Sequence, residues 1–270
     1  MGDLSTSPGA PFGPEPMAIP RNPRPAEASV LARELAEARR QHRTCLAVLA
    51  HELRHPLAPL VHALQLLRLD GVAEEQRGRA IAIMERQIAH LVRLVDELLD
   101  VGRLDHGKLT LRIEAVDLAE AVFHAVESVR PHLDARAQSV RLRLGSAPLV
   151  VRGDPGRLLQ IACNLLSNAS KFSAQGGEIT VSLARSEEEA VLRVRDGGIG
   201  IEPALLPHVF EMFAQGPVGT SANDGLGIGL ALVRRLAEAH GGTATAHSAG
   251  PGAGSEFVVR LPVEGPASRP

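Results

Sequence analysis

The chain has 270 residues, 44% of them hydrophobic, which is enough for two ordinary domains each with its own core. Its 29 basic and 31 acidic residues nearly balance, which removes any global case for nucleic acid or an anionic membrane as a partner. Cys45 and Cys163 lie far apart and outside any C-x-x-C, so no disulfide framework or structural zinc cluster is encoded. With no signal-peptide profile and no apolar run of about 18 residues, a soluble protein in a reducing cytoplasm is expected, without direct membrane insertion.

Residues 1–26 are rich in Pro, Gly and Ser and carry no apolar period, so a disordered leader is expected there. From residue 27 the pattern turns helical. Leu46, Leu49, Leu53, Leu57, Leu60, Leu64 and Leu67 recur at steps of three and four, one apolar stripe along a long helix that Asp70 and Gly71 end. A second helix is predicted from about Glu74 to near Gly102, with Ile81, Met84, Ile88, Leu91, Val95 and Leu98 at the same steps. Residues 27–106 therefore form an antiparallel helical hairpin. A lone hairpin cannot bury both stripes, whereas two copies can do so as a four-helix bundle, and a homodimer is expected.

Residues 107–264 change to mixed α and β, and 265–270 are expected to be a disordered tail. Strands are predicted at Leu109 to Ile113, Val140 to Leu144, Leu149 to Val151, Glu178 to Leu183 and Ala190 to Arg195, with helices at Leu118 to Ala135 and Gly156 to Lys171. A helix from Ile228 to His240 and strands at Thr243 to His247 and Ser255 to Leu261 close an α+β domain.

Within that domain three glycine clusters stand out: Asp196-Gly-Gly-Ile-Gly-Ile201, Gly225-Leu-Gly-Ile-Gly-Leu230 and Gly252-Ala-Gly-Ser-Glu-Phe257. Gly-rich turns that lead into a helix suit phosphates, and they equally suit a hinge. Asp196 ends a strand at a glycine turn, where it can cap the turn or accept a hydrogen bond from an exocyclic amine such as that of adenine. Asn164, Asn168 and Lys171 share one face of a helix. That face is either an ordinary solvated one or a seat for a magnesium ion and triphosphate oxygens. In the hairpin, His51-Glu-Leu-Arg-His55 matches the zinc-protease pattern H-E-x-x-H. The longer form of that pattern needs Gly and His where Ala58 and Val61 stand, and Pro56 distorts the helix that would present both ligands.

Taken in order, NLLSNASKFS, DGGIGI, VFEMFAQ, GLGIGL and GAGSEF resemble the N, G1, F, G2 and last glycine motifs of sensor histidine kinases, and HELRHPLAPL resembles their H box. The resemblance spans about residues 28–262. It implies a dimeric helical hairpin followed by a Bergerat-type α/β sandwich, the fold shared with gyrase and the mismatch-repair ATPase. It implies ATP and Mg²⁺ as cofactors, His51 as phosphoacceptor and Glu52 as the group that orients its ring. By position it implies that Asn168 coordinates Mg²⁺ with Asn164 adjacent, that Lys171 contacts phosphate, and that Asp196 binds the adenine amino group in a pocket shaped by Gly198 and Gly200. Phe210 and Phe213 would anchor a lid between Ile201 and Asp224, and Gly225, Gly227 and Gly229 would wrap the phosphates. The phosphoryl group would pass to an aspartate of a response regulator. His55 stands where many relatives carry Thr or Asn, which implies a bias toward kinase over phosphatase function. A Bergerat module that serves only as a dimeric scaffold would have no use for the intact His51–Glu52 pair, and a gyrase-like ATPase would lack the hairpin.

Overall fold

In the computed structural model of the chain, residues 50, 53–69, 71–105, 110–145, 148–214 and 227–263 are described. The expected leader and tail, His51, Glu52 and Gly225 fall outside them. Helix α1 (residues 53–67) is helical on either side of Pro56, and α2 runs Glu74–Asp105, about one turn past the end expected near Gly102. Glu74 and Glu75 occupy the first turn of α2, where the helix dipole favours carboxylates. Pro59, His62, Ala63 and Leu66 of α1 line one cleft with Gln76, Arg79, Ala80 and Ile83 of α2, so the two helices lie side by side as a hairpin.

The apolar stripes are split by the hairpin. Leu53, Leu60 and Leu67 of α1 are half-buried, as are Met84, Leu91 and Leu98 of α2. The alternate positions face out: Leu57, Leu64, Ile81, Ile88 and Val95 are 42–51% exposed. A heptad has two apolar positions, and one hairpin covers only one of them.

Strand β1 (Glu114–Asp117) pairs antiparallel with β3 (Val150–Gly153), and Val116 lies opposite Val151. The strand expected at Leu109 to Ile113 is therefore displaced. Thr110 to Ile113 are irregular, because the buried Val116–Val151 pair and not the apolar alternation of residues 109–113 sets the register. Helix α3 (Leu118–Ala135) starts on Asp117, whose Oδ1 accepts from the Ala119 N–H at 2.9 Å.

Strands β2 (Ser139–Leu144), β4 (Glu178–Ser186), β5 (Glu189–Asp196), β6 (Thr243–His247) and β7 (Ser255–Pro262) form a sheet in the order β2-β4-β5-β7-β6. Only β2 and β4 are parallel. Ile179, Val181 and Leu183 of β4, Leu192 and Val194 of β5, and Phe257, Val259 and Leu261 of β7 share one core with the apolar sides of α3, α4 (Pro155–Phe172) and α5 (Gly229–Ala239). The alternate residues, among them Thr180, Ser182, Arg193 and Arg195, face away, as in antiparallel sheets with one solvated side.

Candidate functional site

Helix α4 organises the site. Asp154 caps it, its Oδ1 accepting from the Arg157 N–H at 3.1 Å, and Pro155 supplies a first-turn residue that needs no N–H partner. Leu158, Ile161, Leu165, Leu166 and Ala169 bury one side almost completely, so the backbone is held rigidly. That burial leaves Asn164, Asn168 and Lys171 half-buried on the other side, about 6 Å and 10 Å apart along the axis counted from Asn164.

Two glycine segments close on this helix. The Ile199 N–H donates to Phe172 O at 3.1 Å, which seats the turn after β5 on the C-terminal end of α4. Here Gly198 and Gly200 are required by packing: an added Cβ would stand 2.2 Å from Phe172 O at Gly198 and 2.0 Å from Gly250 O at Gly200, where φ is +71°. Midway along α4, the Asn164 amide reaches Gly229 O at 3.4 Å, where α5 begins. Gly229 differs from the other two, because a Cβ there would make only ordinary contacts, the nearest with the Asn164 amide at 3.8 Å. Among the described residues no side chain caps α5, whose N-cap is the apolar Ile228, and a helix start of that kind suits an anion.

Asp196 is 3% exposed, with Oδ1 accepting from the Gly198 N–H at 2.8 Å and Oδ2 from the Ser255 hydroxyl. Ser255 opens β7, 59 residues away in sequence, and nothing in its own glycine motif marks it as a partner of Asp196. Its register does: Asp196 and Ser255 are cross-strand partners. Both carboxylate oxygens keep acceptor capacity, so the group is oriented without being saturated.

Phe213 and Gly227, which stand on either side of residues 215–226 in the sequence, meet: the Phe213 N–H donates to Gly227 O at 3.1 Å. Phe213 is held at φ +64°, a left-handed conformation that an aromatic residue seldom adopts, and Gly227 at φ +65°. Phe210 packs edge-on against the buried Phe257, ring centres 6.3 Å apart. The two aromatics thus tie one flank of the segment to the core.

Lys171 Nζ lies 4.5 Å from the centre of the Phe172 ring. The Asn168 side-chain amide has no hydrogen bond among the described residues. A half-buried amide without a partner next to Asn164 is a neutral, hard-oxygen donor set, and such a set fits Mg²⁺ carried on a triphosphate. Burial pushes the neighbouring Cys163 thiol up, only partly offset by a hydrogen bond involving Ser128, so this sulfur stays protonated and unreactive near neutral pH. His51 and Glu52 lie outside the described residues, while His55 is an exposed helical residue of α1.

Residues 41–107 match the family described as the His Kinase A (phospho-acceptor) domain. Residues 153–265 match the family of histidine kinase-, DNA gyrase B- and HSP90-like ATPases. The chain is 36% identical over 233 residues to the probable sensor histidine kinase TcrY of Mycobacterium tuberculosis, covering 84% of this chain and 48% of that one. Among solved structures it resembles the Acinetobacter baumannii histidine kinase AdeS, with a TM-score of 0.60 and 25% identity over 79% of this chain and 98% of that one. It also resembles full-length ShkA in complex with AMPPNP, with a TM-score of 0.61 and 30% identity over 83% of this chain and 46% of that one. The chain belongs to the histidine kinases, with a phosphoacceptor hairpin followed by an ATP-binding domain. It spans about half or less of the length of the curated relatives it matches, for example 48%, 29% and 43% of three of them. No helix among the described residues is long and apolar enough to cross a membrane.

Proposed function

We propose that the chain is an ATP-dependent protein histidine kinase that phosphorylates His51 and passes the phosphoryl group to an aspartate of a response regulator. The observation that carries this reading is the half-buried amide face of α4, set between the start of α5 and the glycine turn of Asp196, on one chain with the H-box hairpin. Asp196, oriented by Gly198 and Ser255, accepts the adenine amino group. Gly225, Gly227 and Gly229, with the uncapped start of α5, cradle phosphates. Asn168 would hold Mg²⁺, with Asn164 beside it, and the ion would neutralise charge on the triphosphate. Lys171 adds a cation to the phosphate oxygens.

His51 Nε2 then attacks the γ-phosphorus in line with the bond to ADP; the N–P bond forms as the P–O bond breaks. Glu52 accepts the Nδ1 proton in a hydrogen bond, which fixes the tautomer and raises the nucleophilicity of Nε2. Most of the rate comes from positioning and charge neutralisation.

Homodimerisation follows from the hairpin. Its outward Leu57, Leu64, Ile81, Ile88 and Val95 form an apolar face that a second hairpin covers as a four-helix bundle. The receiver docks on the hairpin near His51, and His55 beside it biases the protein toward kinase activity. A response-regulator phosphatase rate that drops in His55→Ala would overturn that bias.

Incubation with γ-labelled Mg-ATP tests the whole reading. Acid-labile, base-stable label is expected on the wild type and absent from His51→Gln. Label that persists in the variant, or a wild type that binds ATP and takes none, would sink it.

A further inference from the structure

The turn that aims the Asp196 carboxylate has little stiffness of its own, because Gly197, Gly198 and Gly200 are three of residues 197–201. Its shape is set from outside. The last glycine turn, residues 250–254, packs on it backbone against backbone: the Gly252 N–H donates to Ile199 O at 2.6 Å, and a Cβ added to Gly254 would stand 2.2 Å from Asp196 O. Ser248, half-buried directly after β6, joins the two turns through its hydroxyl. Oγ accepts from the Ile201 N–H at 3.0 Å and from the Gly250 N–H at 3.3 Å, and it donates to Gly254 O at 2.7 Å, with Gly250 O a more distant alternative at 3.4 Å. One donor and two acceptor sites are all that a hydroxyl has, so the group is fully used. Ser255 bonds the carboxylate itself, whereas Ser248 bonds only backbone, at the exit of the turn.

We propose that Ser248 is a positioning residue for the choice of base: its hydroxyl locks residues 197–201 in the shape that aims Asp196 at the exocyclic amine of adenine. This rests on the nucleotide reading above. Asp196 takes its direction from the Gly198 N–H, three residues before the Ile201 N–H that Ser248 holds. Without the hydroxyl, the Ile201 N–H, the Gly250 N–H and Gly254 O lose a partner together. Pairing them again requires water between the turns, and a glycine turn yields to that more readily than the strands on either side of it.

The carboxylate then spreads over several directions, and the contact that weakens is the one that depends on direction. The phosphate-facing residues stand on α4 and at the start of α5, and none of the Ser248 bonds reaches them. Ser248 therefore acts on base selection and leaves phosphate handling alone. Inosine triphosphate separates the two, since it carries a carbonyl oxygen where ATP carries the amine, and an acceptor facing Asp196 cannot replace a donor.

The experiment measures binding of Mg-ATP and Mg-ITP to the full chain by calorimetry, for wild type, Ser248→Ala and Ser248→Cys. Thermal unfolding and the rate of His51 labelling at saturating ATP are recorded alongside. The wild type is expected to prefer ATP. Ser248→Ala is expected to bind ATP about threefold more weakly or worse with ITP affinity little changed, so that the preference falls while the labelling rate at saturating ATP stays at the wild-type value. Ser248→Cys keeps the volume but hydrogen-bonds weakly, and an intermediate preference is expected. An ATP preference that survives in Ser248→Ala overturns the inference. So does a loss shared equally by both nucleotides, which is what general loosening of the domain produces. If Ser248→Ala does not fold, Ser248→Cys decides by the same ratio. A wild type that binds both nucleotides alike removes Asp196 from base recognition, one that binds neither removes the nucleotide reading, and Ser248 falls with either. If the wild type prefers ATP but takes no label, the kinase reading has failed and the binding ratio still judges Ser248.

Discussion

The hairpin and the nucleotide domain bury their apolar residues in opposite ways. In the domain, Leu165, Leu232 and Leu236 are 0% exposed and every helix stripe meets a sheet face of the same chain. In the hairpin, Ile88 is 51% exposed although its spacing is as regular as any in the protein. The periodicity is equally good in both regions, and only one of them is complete in a single chain. A regular apolar stripe therefore specifies burial without specifying by what.

Mutations in the two regions should accordingly fail differently. The largest effect is expected from Leu165→Ala in the domain, which opens a cavity in a site with no freedom to collapse and should cost about 2–5 kcal/mol of unfolding free energy. Chemical denaturation checks it. Ile88→Glu should leave the domain's stability unchanged but place a charge in the proposed dimer seam, shifting the protein to monomer in sedimentation at micromolar concentration; a dimer that persists would break the contrast between the regions.

Smaller changes sharpen it. Asn168→Asp alters no packing and should lower autophosphorylation about tenfold or more, because an added fixed charge upsets the proposed seat of the metal and triphosphate. Unchanged activity would remove Asn168 from the metal site. Asp154→Ala should cost about 1 kcal/mol through loss of the α4 cap. Its pH dependence has a definite sign. Burial opposes ionisation of Asp154, but the N–H groups of Arg112, Arg157 and Gly156 and the Arg157 charge outweigh it, so the folded pKa lies below the unfolded one. The stabilisation is then present above the unfolded value, about 3.9, and is lost as pH falls through the folded value. Melting temperatures of wild type and Asp154→Ala should differ at pH 7 and begin to approach each other only as pH falls below about 4.

Much of the fold was legible because its signals are local. α3 and β6 stand at the expected Leu118–Ala135 and Thr243–His247, since an Asp cap, a Gly turn and a clean period are contained within each segment. The strand expected at Leu109 to Ile113 was misplaced for the converse reason. Its residues alternate well, but Glu114–Asp117 is the stretch that has a partner edge in β3. At the site, Asn164, Asn168 and Lys171 could be placed on one face by counting. Ser255 on Asp196, and Arg157 with Gln160 on Asp100, could not, because each joins positions 57–60 residues apart.

Sequence alone thus determined the two-part organisation, the period of each main helix, the family, and a set of candidate residues for a nucleotide. Those are properties of short segments, set by side-chain spacing, caps and glycine conformations. The tertiary structure decided which glycines are obligatory, as Gly198 and Gly200 are and Gly229 is not. It also decided how Asp196 is oriented and how the end of α2 is fastened to α4. Those outcomes depend on which surfaces approach within a hydrogen bond or a methyl radius of each other, and that distance exists only after the segments have packed.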